Sequence, residues 1–116
     1  DRWNLLHPES TPRIPLVSQL LNEGTDPVVA VTDYMRELPD MIRSWVSVPW
    51  RSLGTDGFGR SDTRDELRRF FETDQSSIEI AALATLAQDN KIDAKVVQSA
   101  IERHGIDPEL PPPWMR

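Results

Sequence analysis

The run Val28-Val29-Ala30-Val31-Thr32-Asp33 decides the fold, together with Trp50-Arg51-Ser52-Leu53 and the loop Gly54-Thr55-Asp56-Gly57-Phe58-Gly59-Arg60-Ser61-Asp62-Thr63-Arg64 that follows it. The first run is continuously apolar rather than alternating, which is the pattern of a parallel strand covered on both faces. Asp26-Pro27 supplies the turn before it. Between the strands, Tyr34, Leu38, Met41, Ile42 and Trp45 recur at helical spacing over 34–46, and Pro39 starts or kinks that helix. Strand, helix and strand at this separation predict one right-handed βαβ unit. The fold class is α/β, with a mostly parallel sheet flanked by helices.

Outward from this unit, residues 1–14 hold His7-Pro8 and Thr11-Pro12 and read as an extended lead-in. A short helix is expected from Pro15 to about Leu21, ended by Asn22-Glu23-Gly24. Downstream, a helix is predicted over 64–72 with Leu67, Phe70 and Phe71 inward, and Thr63 and Glu66 have capping-box spacing. A second is predicted over 77–88 with Ile78, Ala82, Leu83 and Leu86 inward. A third is predicted over 93–104, where Val97, Ala100, Ile101 and His104 share a face and Gly105 stops it. The tail Pro108-Glu109-Leu110-Pro111-Pro112-Pro113 reads as extended and polyproline-like. The organisation is therefore a lead-in at 1–14, an α/β domain at 15–105 and a proline-rich tail at 106–116.

The 116 residues allow one domain with a modest core, since 38% are apolar. The formal charge is −6, which argues against nucleic acid or an anionic membrane surface as a partner. Absence of cysteine excludes disulfide scaffolds, zinc ribbons and thiol nucleophiles. No apolar run approaches the ~20 residues of a membrane span. The chain opens on Asp1 and not on Met, and reads as a piece of a longer polypeptide. Four tryptophans are many for this length, and Trp3 and Trp114 lie in terminal segments where burial against a partner is an alternative to burial in the core.

The chemistry-bearing stretch is the glycine loop. Its candidate residues are Gly54, Asp56, Gly57, Gly59, Arg60, Ser61 and Arg64. Glycines permit positive φ or close approach, the following helix start attracts anions, and Arg60 and Arg64 could add bidentate contacts. It is not a Walker loop, because the lysine is missing, and Asp62 stands where a dinucleotide fingerprint needs its third glycine. Two readings stay open: an anion-binding loop, or a glycine turn with a capped helix that packs against another domain. Asp33 and Asp56 should share the carboxyl edge of the strands with this loop. Asp33 is either an acid/base candidate or a turn-forming residue. His7 and His104 lack the companions that a metal site needs.

The segments 28–35, 53–64 and 67–72, with Arg2-Trp3-Asn4-Leu5-Leu6-His7-Pro8 and the stretch from Ala81 to Val97, closely resemble the C-terminal domain of the homodimeric-type pyruvate dehydrogenase first component. The likeness spans about residues 1–105, and the tail is unfamiliar. It implies a transketolase-type C-terminal domain within a cytoplasmic bacterial oxidoreductase that decarboxylates pyruvate and reductively acetylates a lipoyl group. It implies thiamine diphosphate and magnesium in the full-length enzyme, held by two domains upstream, and none bound by these 116 residues. It implies a homodimer partner subunit and a dihydrolipoyl acetyltransferase core as partners, with no nucleic acid and no membrane. No catalytic residue of the family maps onto this stretch, so His7 and His104 inherit no role, and the chain alone is expected to be inactive. Relatives carry a further strand and helix ahead of Trp3, so the sheet here is expected to lack them and to have an unpaired edge.

Overall fold

A computed structural model describes residues 1–116. In chain order it contains α1 (Arg2–Leu6), α2 (Leu16–Leu21), β1 (Val28–Val31), α3 (Glu37–Asp40), a 3-10 turn (Arg43–Trp45), β2 (Trp50–Leu53), α4 (Arg64–Phe70), α5 (Gln75–Gln88), α6 (Ala94–His104) and a last 3-10 turn (Pro113–Met115). β1 and β2 form a two-stranded parallel sheet, with Val28 opposite Trp50 and Val31 opposite Leu53. The ladder runs through the N–H groups of Val28 and Thr32, which donate to Pro49 (2.8 Å) and Leu53 (3.1 Å). With two strands only, each keeps one edge without a strand partner.

Register sorts the side chains by face. Val29, Val31, Arg51 and Leu53 point to one side, where Arg51 donates to Thr85 Oγ1 on α5 at 3.0 Å. Trp50 and Ser52 point to the other, where both donate to Asp40 at the end of α3 (2.8 and 2.6 Å). Each face thus has a neighbour, yet the cover is thinner than the apolar run 28–33 predicts. Val28, Val29 and Ala30 are half-buried and Val31 is exposed. The regular strand also stops at Val31, two residues short of Asp33.

The helix expected within 34–46, starting or kinking at Pro39, is reduced to a four-residue α3 and a 3-10 turn. Tyr34 O accepts from Thr55 N–H at 2.8 Å and Arg36 N–H donates to Asp56 Oδ1 at 2.9 Å, so the backbone there is committed to the glycine loop. The lead-in also departs from extension. Trp3 of α1 and His7, the residue that ends it, stack at 4.4 Å, Arg13 lies 3.9 Å over the Trp3 ring, and Asn4 bonds the Arg13 backbone through both ends of its amide (2.9 and 2.8 Å). Pro8 keeps this helix short.

On the far side of the sheet, α5 starts two residues earlier than its apolar stripe suggests. Asp74 caps it, accepting from Ser77 N–H at 3.0 Å. Its buried positions are Ala81 and Thr85, not the Ile78–Ala82–Leu83–Leu86 set. The helix is apolar on most sides, so its stripe has no unique phase. Thr85 marks the face turned to the sheet, since its hydroxyl accepts from Arg51 of β2. Helix α6 matches its pattern, from the Asp93 cap to Gly105 at φ 62°, with Ala100 1% exposed. Gly105 is one of three left-handed helix stops: Glu72 (φ 57°) ends α4 and Asn90 (φ 58°) ends α5 in the same way.

The core is small. Six of 116 residues are buried, among them Phe71, Ala81, Ala100 and Thr85. The molecule measures 55 × 36 × 20 Å, and its radius of gyration is 17.4 Å. A compact chain of this length would have about 13 Å. The shape is a slab. No helix is long and apolar enough to cross a membrane.

Candidate functional site

The glycine loop leaves β2 at the carboxyl edge of the sheet, where ligands of parallel sheets gather. Its first residues are clamped to the crossover segment. At Gly54 an added Cβ would meet Tyr34 O at 2.6 Å, Arg36 N at 2.9 Å and Thr32 Cγ2 at 3.1 Å. Only glycine lets the two backbones come this close. Thr55 then donates to Tyr34 O, and the Asp56 carboxylate takes both the backbone N–H and the guanidinium Nε of Arg36. Asp56 therefore ties the root of the loop to Arg36 of the crossover.

Beyond Asp56 the loop turns outward. Gly57 adopts φ +93°, and a Cβ there would sit 3.1 Å from Cα and Cβ of Trp114. Phe58, at the tip, is 96% exposed. Gly59 has open space around it and no positive φ, so the sequence overstates its role. The Arg60 guanidinium lies 4.1 Å over the Phe70 ring. Ser61 and Arg64 are exposed, and the Arg64 guanidinium takes no hydrogen bond or ion pair. Thr63 accepts from Glu66 N–H at 3.4 Å, half of the capping box, while its own N–H goes to Asp62 at 2.7 Å instead of to Glu66. Asp65 and Glu66 fill the first turn of α4, so acidic groups already face the positive end of this helix.

The structure does not bring Asp33 to Asp56. Asp33 is exposed and lies 3.9 Å from Arg68, in a cleft with Asp74, Ser76 and His104. Asp56 lines a separate cleft with Arg36, Asp40, Arg43 and Ser52. Three carboxylates are held below their ordinary range. Asp40 is lowered first by the Ser52 hydroxyl, and the Trp50 indole N–H and Arg43 add to this against the effect of burial. For Asp74 burial pulls upward, but the Ser77 hydroxyl and N–H, the Ser76 hydroxyl and Arg69 outweigh it. Glu79 is lowered first by its hydrogen bond from His104 (2.8 Å) and then by Arg103. All three brace structure: a sheet face, a helix cap and the α5–α6 contact. No three His, Asp or Glu side chains are placed to hold a metal ion. His7 is spent on Trp3, through stacking and a 2.8 Å contact to its carbonyl.

The sequence reading missed the partners that hold the loop. Arg36, Phe70, Trp114 and Arg116 are scattered over eighty positions and share no motif. The one available signal was Trp114 beside three prolines, because a tryptophan in a proline-rich tail has to find cover. The tail is not simply extended. It ends in a 3-10 turn with Pro113 buried and Trp114 against Gly57.

Comparison with known proteins places this geometry. Residues 3–74 match the family model of the transketolase-like TK C-terminal domain. The chain is 49% identical over 108 residues to the pyruvate dehydrogenase E1 component of Escherichia coli K12, covering 92% of the chain. It is 49% identical over 110 residues to the same component of Pseudomonas aeruginosa, and 45% over 107 residues to that of Mycolicibacterium smegmatis. The chain spans 12% of the length of each of these relatives.

Proposed function

Because the chain belongs to the transketolase-like C-terminal domain family, we propose that it is a non-catalytic, dimer-supporting domain of a bacterial pyruvate dehydrogenase first component. The whole enzyme would decarboxylate pyruvate and reductively acetylate the lipoyl group of an acetyltransferase core in the cytoplasm. Thiamine diphosphate and magnesium would supply that chemistry as the acyl-carrying cofactor and its counter-ion. The residues present do not fit that pair, since no carboxylate cluster could hold the metal and Asp56 is tied to Arg36. No step of the reaction is therefore assigned to this chain.

One observation carries the reading. The accessible surface is 8653 Å². A compact chain of 13.2 kDa would expose about 6,400 Å², an excess of roughly 2,200 Å². That is more than double the roughly 800 Å² that one partner contributes to a standard interface. Exposed Leu5, Leu16, Leu20, Tyr34, Met41 and Phe58 lie on this surface. A slab with six buried residues is built to be completed by other protein. The glycine loop serves as one of the contacts, with Phe58 presented outward and its arginines turned to Phe70 and solvent.

The test separates support from catalysis. Supplied with pyruvate, thiamine diphosphate and magnesium, the chain alone should release no carbon dioxide, while added to an enzyme lacking this domain it should restore the dimer and activity. Saturable carbon dioxide release by the chain alone would overturn the proposal, as would a remainder that is dimeric and fully active without it. Saturable binding of inorganic phosphate, lost in Arg60→Ala, would favour an anion-binding module instead.

A further inference from the structure

We propose that residues 113–116 are an intramolecular strap that holds the glycine loop, and with it Phe58, in one fixed position. The need for a strap comes from the loop itself. From Asp56 to Asp62 no backbone N–H or carbonyl makes a hydrogen bond to another backbone group. Two glycines in three residues, Gly57 and Gly59, add backbone freedom to this stretch. Left alone, residues 57–61 would be mobile.

The last four residues supply what the loop lacks. Pro113 is buried. Trp114 lies against Gly57, close enough that a Cβ there would be crowded at 3.1 Å, and Gly57 also holds φ +93°. The Arg36 guanidinium pairs with Asp56 and also lies 4.7 Å over the Trp114 ring, so one cation joins the root of the loop to the strap. Arg116 donates to Glu72 at 2.6 Å and to the Phe70 carbonyl at 3.4 Å, satisfying an open carbonyl at the end of α4. Its guanidinium is 5.1 Å from the centre of the same Phe70 ring that carries Arg60. Both limbs of the loop are thus fastened: Gly57 to Trp114, and Arg60 to a ring shared with Arg116. The strap acts whatever surface Phe58 touches, so it stands apart from the proposed domain role.

Backbone ¹⁵N relaxation of the 116-residue chain tests it. In the intact chain the order parameters of Gly57, Phe58 and Gly59 should lie near the rigid value of about 0.85. Deleting residues 111–116 should drop them below about 0.6, with α5 and β1 unchanged. If the shortened chain does not fold, Trp114→Ala and Arg116→Ala should each lower the same three values, while Met115→Ala, at an exposed position, should not. Loop order parameters that stay high without the strap would overturn the proposal. So would a loop that is already mobile in the intact chain.

Discussion

Replacing Gly54 by alanine adds one methyl group where two backbones meet. The new Cβ would lie 2.6 Å from Tyr34 O and 2.9 Å from Arg36 N, and neither is the end of a flexible side chain that could swing away. Relief requires the loop and the crossover to separate. Overpacking of this kind costs about 1–3 kcal/mol. Separation also weakens the 2.8 Å bond from Thr55 to Tyr34, worth about 1 kcal/mol. The expected loss is therefore about 2–4 kcal/mol, or a fall in Tm on the order of 8–16 °C at this chain length. Urea unfolding of Gly54→Ala against the parent, followed by circular dichroism, measures it. The control is Gly59→Ala, where the added methyl meets nothing and φ is ordinary, so the change should stay within about 0.5 kcal/mol and could be stabilising. A Gly54→Ala variant as stable as the parent would refute the close-approach argument. Equal losses at both glycines would show that the loop responds to flexibility and not to contact.

Gly57→Val should cost about 2 kcal/mol or more, because a β-branched residue at φ +93° is strained and would also push Trp114 away. Thermal melts check this, and an unchanged Tm would contradict it. Arg60→Ala should cost only about 0.5–1 kcal/mol, the scale of an exposed cation–π contact, in the same melts. The acid limb of stability should depend on Asp40 and Asp74. Their folded pKa values lie below the ordinary 3.8, so their contribution is complete above about pH 4 and is lost as pH falls through the folded values. Asp40→Asn should flatten the decline of urea midpoints below pH 4, and an unaltered acid slope would show that the carboxylate is not depressed. In sedimentation velocity the chain alone should self-associate in the micromolar range through its open strand edges and apolar surface. A clean monomer with a cooperative melt would show that the thin core suffices.

The parts of the fold that could be read from sequence are those governed by local chemistry. Trp50–Leu53 is the strand its composition suggests, and α6 carries both of its punctuation marks in Asp93 and Gly105. The segment 34–46 has a real apolar stripe, but the backbone at its start is not free to coil. Tyr34 and Arg36 are claimed by Thr55 and Asp56, twenty residues on. No local pattern reports such a claim. For α5 the reverse holds: the helix was evident, but apolar residues on most sides hid which face meets the sheet. Its start was hidden because Asp74-Gln75-Ser76-Ser77 has the composition of a loop and the geometry of a cap. At the candidate site, Gly54 and Gly57 were legible as glycines with a purpose. The identity of what approaches them, a crossover in one case and the C-terminal tryptophan in the other, is tertiary information.

The slab shape also governs how sharply this chain can melt. Heat capacity and denaturant sensitivity both scale with the surface that unfolding exposes. An unfolded chain of this mass presents about 19,000 Å², so with 8653 Å² already wet only about 10,500 Å² remains to be uncovered. A compact chain would uncover about 12,700 Å². The transition is accordingly about a sixth less steep than its length suggests, and the stability curve flatter. A protein docked on the slab would sharpen the transition as well as raise its midpoint.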